Sequence, residues 1–167
     1  MSFEADDPLA RWERSLEKRE KRLQAPQQVT GRPGAVVRCE LAGALDHTGI
    51  LIGDDTIIEL DGSGIIQMVS YRDFLMASAF RTGDEITVAS DDESLTVLAD
   101  MAVATRAIDL IGKSREYHFL LDNCHQFSSG CITGDFENDD KLFSLLELTI
   151  SEHLNGKRAI VWWPLEN

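Results

Sequence analysis

The sequence predicts an α+β fold in which an antiparallel β-meander or small barrel packs against helices. Three observations lead there. Short apolar segments between residues 35 and 69 are broken by Gly- and Asp-rich turns, several other segments carry three-to-four apolar spacing, and strands and helices come in runs without regular βαβ alternation. With 167 residues, 43% of them hydrophobic, the chain is long enough for one sizeable core.

The first element is a charged amphipathic helix over about 7–24. Leu9, Trp12, Leu16 and Leu23 lie among Arg, Glu and Lys, and Pro26 closes it. Its stripe either packs on the domain or serves a partner. A linker, 25–31, leads to strands at about 35–41, 47–53, 56–60 and 64–69. Gly53-Asp54-Asp55 and Asp61-Gly62-Ser63-Gly64 supply the turns. Ser70, with Asp73 three residues on, caps a short helix, and a strand follows near 85–89. Ser90-Asp91-Asp92-Glu93 then reads as the start of a long helix to about Ile111, ended by Gly112. Helices over about 123–132 and 141–154 and a strand over 158–163 complete the chain. The expected division is 1–30, an N-terminal helix and linker, and 31–167, the main domain.

A net charge of −13 and a pI near 4.6 argue against a nucleic-acid surface, where Lys and Arg must replace phosphate counterions, and against adhesion to anionic lipid. Three cysteines, Cys39, Cys124 and Cys131, show no disulfide spacing, which suits a reducing compartment. The acidic start Met1-Ser2-Phe3-Glu4-Ala5-Asp6-Asp7 does not read as a secretory signal, and no apolar run approaches about 18 residues. The expectation is a soluble cytoplasmic protein.

The most informative stretch is Asp122-Asn123-Cys124-His125-Gln126-Phe127, because it puts a cysteine in the first turn of a helix that Asp122 or Asn123 can cap. There the helix N-terminus favours thiolate over thiol, and free backbone N–H groups can stabilise an oxyanion. A cysteine nucleophile needs a base, and His47, at the start of a strand read as half-buried, is the candidate. Cys131, two turns along the helix, reads as core or as a resolving thiol. His118, Cys124, His125 and Cys131 lack zinc-site spacing, so no metal is expected, and His125 reads as helix-surface or as support behind the site. Tyr117 reads as active-site wall, oxyanion donor or core aromatic.

Arg32-Pro33-Gly34-Ala35-Val36-Val37, the strand from His47 to Leu60 with its Gly-Asp hairpin, and Tyr117 to Phe127 together resemble the lecithin retinol acyltransferase-like family, a circularly permuted branch of the papain-like cysteine hydrolases. The resemblance implies a permuted papain-like fold and acyl chemistry through a Cys124 thioester, with no metal or organic cofactor. It also implies that a second polar residue, commonly histidine in the family, orients the imidazole. That position is Glu59 here. A carboxylate can hold the tautomer and raise the imidazole pKa, and one hairpin can bring both side chains to one face; the other reading of Glu59 is a plain exposed strand residue. The expected enzyme is a hydrolase or acyltransferase on an ester, thioester or amide, with an acyl, lipid or peptide substrate. A related branch with a similar His-Thr-Gly strand and Asn-Cys helix leaves isopeptidase or peptidase action open, and a non-catalytic protein-binding module is the rival from another class.

Overall fold

The computed structural model describes residues 7–41, 45–76, 81, 85–113 and 124–166. Its elements are α1 (Pro8–Gln24), β1 (Val36–Leu41), β2 (Leu45–Gly53), β3 (Thr56–Leu60), β4 (Ile66–Val69), α2 (Tyr71–Met76), β5 (Thr87–Asp91), α3 (Met101–Asp109), α4 (Cys124–Thr133), α5 (Phe143–Leu154) and β6 (Ile160–Pro164). The fold is α+β. Among the described residues the six strands form one antiparallel sheet in the order β4-β3-β2-β1-β5-β6, open rather than closed into a barrel.

Alternate residues of a strand point to opposite faces, and here both faces are covered. Val36, Ile50, Ile58 and Ala89 pack against Val103 and Ala107 of α3, Phe127 and Cys131 of α4, and Leu146 and Ile150 of α5. On the other face Val37, Cys39, Leu51, Ile57 and Val88 meet Phe74 of α2 together with Ile86, Val97 and Leu165. β2 is therefore buried continuously from His47 to Leu51, which corrects its reading as a half-buried strand.

The long helix expected from Ser90 does not form. The Asp91 carboxylate accepts from the Glu93 and Ser94 N–H groups, and Leu95 takes φ 57°, so the chain turns back on itself. Val97 then bridges Ser90 and the Leu98 N–H donates to the Ala89 carbonyl. The helix begins ten residues later, where Asp100 accepts from the Ala102 N–H. The side chains that cap helices also close turns, and the pull of Val97 and Leu98 toward the sheet decided between them.

α1 is capped by Asp7, whose carboxylate accepts from the Leu9 N–H at 3.0 Å, and Pro8 fits the first turn, where no N–H is needed. It buries no residue. Leu9, Trp12 and Leu23 are 60%, 59% and 77% exposed, so the stripe does not pack on the domain. Lys18 and Arg22, on another side of the helix, pair with Asp92 instead. The following segment is tied to the end of β6, with Val29 paired to Leu165 and the Trp163 indole donating to the Pro26 carbonyl at 3.0 Å. Among the described residues no helix is long and apolar enough to cross a membrane.

Candidate active site

Cys124 opens α4, a helix buried along most of its length between the sheet, α3 and α5. That depth requires Gly130, because a Cβ there would stand 2.2 Å from the Phe136 ring. The position leaves Cys124 half-buried at the helix mouth, its Sγ 3.8 Å from the Asp46 carbonyl oxygen and 3.7 Å from His125 Nδ1. Asp122 and Asn123, read as caps, lie outside the described residues, as do Tyr117 and His118.

His47 comes from β2 and Glu59 from β3, the two arms of the Gly53 hairpin. His47 Nε2 lies 2.7 Å from Glu59 Oε2, which leaves Nδ1 as the ring nitrogen for Cys124. Glu59 is fully buried, so the reading of it as an exposed strand residue is corrected. Its other oxygen accepts from the Gln67 side chain at 3.1 Å, and Arg81 Nη2 lies 3.0 Å from Oε2. The His47 ring packs on Phe74, centroids 5.1 Å apart.

These contacts set the protonation states. Burial opposes ionisation of Cys124, yet hydrogen bonds from His125 and His47 and the charge on the rings bring its pKa down to about 5. For His47, burial favours the neutral ring, but hydrogen bonds to Cys124 and Glu59 win and hold its pKa above the ordinary imidazole value. Burial likewise opposes ionisation of Glu59, and the hydrogen bond and charge of His47, then Arg81 and Gln67, keep its pKa below the usual carboxylate range. Burial drives Cys39 and Cys131 the other way, each up to about 12. A thiol, an imidazole and a carboxylate so disposed can exist as a thiolate–imidazolium pair backed by a fixed anion.

His125 is not on the helix surface. Its ring is buried against Phe143, and Nδ1 lies 3.3 Å from the Thr48 hydroxyl, which also contacts Ser128. Thr48, Gln67, Phe74 and Arg81 were not singled out in the sequence. Gln67 was within reach of it, because the β3–β4 turn sets Gln67 opposite Glu59. Arg81 carries no local pattern that marks it.

An open antiparallel sheet with a histidine strand beside a helix headed by a cysteine is the arrangement expected of a permuted papain-like cysteine hydrolase or acyltransferase. The model of the family described as lecithin retinol acyltransferase matches residues 30–137, well over half of the chain, and the protein belongs to that family. Acyl transfer or hydrolysis is the activity the family suggests. A comparison with curated proteins finds no match.

Proposed function

We propose that the protein is a cysteine-dependent hydrolase or acyltransferase in which Cys124 is the nucleophile, His47 the proton carrier and Glu59 the group that orients His47. The observation that carries this reading is the 2.7 Å contact between His47 Nε2 and a fully buried carboxylate, beside a thiol at a helix start. The Cys124 thiolate attacks the carbonyl carbon of an ester, thioester or amide, and the carbonyl electron pair moves to oxygen. The backbone N–H of Cys124, the first residue of α4, would donate to that oxyanion. Collapse breaks the bond to the leaving group, which takes the His47 proton. Water or an acceptor hydroxyl or amine then gives a proton to His47 and attacks the thioester, and the C–S bond breaks to restore thiolate and imidazolium. No step calls for a metal or organic cofactor.

Acyl, lipid and peptide substrates all present such a carbonyl. The unpacked stripe of α1, with Trp12 59% exposed, supports a protein partner as a second role of the same chain. The test is intact-mass analysis after incubation with activated acyl esters and with peptide amides. An acyl adduct that maps to Cys124 and is absent from Cys124→Ala supports the proposal. No adduct with any activated acyl donor, in folded protein, contradicts it.

A further inference from the structure

We infer that Arg81 is a positioning residue of this site, a permanent cation that keeps Glu59 ionised and holds the buried charge at zero before and after acylation. The inference rests on the reading of Cys124, His47 and Glu59 just given.

Glu59 has no exposure to solvent, and an unpaired carboxylate so placed would take up a proton rather than stay charged. His47 cannot keep it charged throughout, because the imidazole gives up its proton to the leaving group. Arg81 can, since a guanidinium does not deprotonate in a protein. Its side chain is 6% exposed, with Nη2 3.0 Å from the same Glu59 oxygen that His47 contacts. Nη1 donates to the Phe74 carbonyl at 2.7 Å and the Asp73 carbonyl at 3.3 Å, and the guanidinium lies 5.7 Å from the Phe74 ring centre. Arg81 is thus fixed to the end of α2, the helix whose Phe74 also packs on His47.

The charges then balance in both states. Before acylation Arg81 and His47 are positive, and Glu59 and Cys124 negative. Afterwards the thioester and imidazole are neutral, and Arg81 and Glu59 still cancel. Without Arg81 each state would carry one uncompensated buried negative charge. Among the described residues the neighbouring elements bring no second permanent cation to Glu59. β1 presents Cys39, whose thiol stays protonated, and Asp46 of β2 is already held by Arg38 at 2.6 Å. β4 presents the neutral Gln67, Asp61 after β3 adds a further negative charge, and α4 presents Cys124 with His125.

The experiment measures the pH dependence of Cys124 alkylation in Arg81→Gln, Arg81→Lys, Glu59→Gln and the Glu59→Gln/Arg81→Gln double variant. Arg81→Gln is expected to move the acid limb up by about one pH unit, and Lys to recover most of that shift. In the Glu59→Gln background the same change should add at most about a third of it, because the effect runs through the carboxylate. Equal shifts in both backgrounds, or a Lys variant indistinguishable from Gln, would overturn the inference and leave Arg81 as a cap on α2. Should Arg81→Gln fail to fold, the double variant decides, since removing both charges restores the balance. Recovery of folding is expected there, and its failure overturns the inference. Failure of the triad itself shows separately, as a Cys124 profile that His47→Ala leaves unchanged, and the stability of the double variant still tests the charge balance.

Discussion

Gly49 stands directly opposite Glu59 in the β2–β3 register, and its missing side chain is what lets α2 close over the candidate site. A Cβ at Gly49 would lie 2.8 Å from Ile57 Cγ2, 2.9 Å from the Ile58 carbonyl oxygen and 3.1 Å from the Phe74 ring. The backbone oxygen cannot move aside, and the ring that would have to move is the one packed on His47. Gly49→Ala is therefore expected to destabilise the fold by about 1–3 kcal/mol through overpacking. It should also slow Cys124 alkylation in the protein that remains folded. Denaturant melts and alkylation rates check this, and an Ala variant equal to the parent in both would show that Phe74 does not set the His47 ring.

Cys124 is expected to be the only fast-reacting cysteine. Its thiol is drawn down to about 5, whereas burial drives Cys39 and Cys131 up to about 12. Only a thiolate alkylates rapidly, so brief iodoacetamide treatment near neutral pH followed by peptide mapping should find label on Cys124 alone. Preferential label on Cys39 or Cys131 contradicts the assignment of the nucleophile.

Glu59→Gln keeps size and an acceptor but removes the anion that supports the His47 imidazolium. Alkylation and acyl transfer should both fall, though by less than in His47→Ala. About 10⁴-fold is the ceiling known for an orienting group in a tightly coupled triad. The variant also leaves Arg81 without its buried counter-charge, so stability should drop by about 3–5 kcal/mol. If folded Gln and Ala variants both keep the parent pH profile and transfer rate, another group orients His47.

Removal of residues 1–24 takes away α1, which has no buried residue and whose ties to the domain include Lys18 and Arg22, 54% and 46% exposed, on Asp92, 11% exposed. Asp92 then loses both cations, so the melting temperature should fall modestly, while Cys124 should keep its reactivity. The Val29 and Pro26 contacts to the end of the chain remain in such a variant. Loss of Cys124 reactivity in a folded truncation would make α1 part of the catalytic apparatus and would end the proposed division at residue 30.

The meander was legible because Gly53-Asp54-Asp55 and Asp61 to Gly64 are turn sequences with little competition, and each joins two apolar runs. Residues 90–100 were not, because Asp91 satisfies backbone N–H groups equally well in a turn, and the deciding contact is tertiary, Leu98 onto Ala89. The stripe of α1 has the spacing of a buried face, yet spacing does not say whether a surface exists to receive it. In the site, His47 and Glu59 could be paired from one hairpin, since a period of two and a short turn fix which side chains share a face. His125 beside Cys124 depended on how deeply α4 sinks against Thr48 and Phe143. Arg81 depended on where the chain returns after α2, which no local pattern encodes.

The most direct measurement for the central claim is the rate of Cys124 alkylation against pH in the parent and in His47→Ala. A thiol whose pKa is lowered is ionised above that value and lost as pH falls through it. The parent rate should therefore hold from pH 8 down to about 6 and decline only as pH approaches about 5. His47, with its raised pKa, is protonated on the acid side, so removing it should carry the decline toward the ordinary thiol value of about 8.5. A parent profile that already declines near the ordinary thiol value, or one that His47→Ala leaves in place, would contradict a thiolate–imidazolium pair between Cys124 and His47.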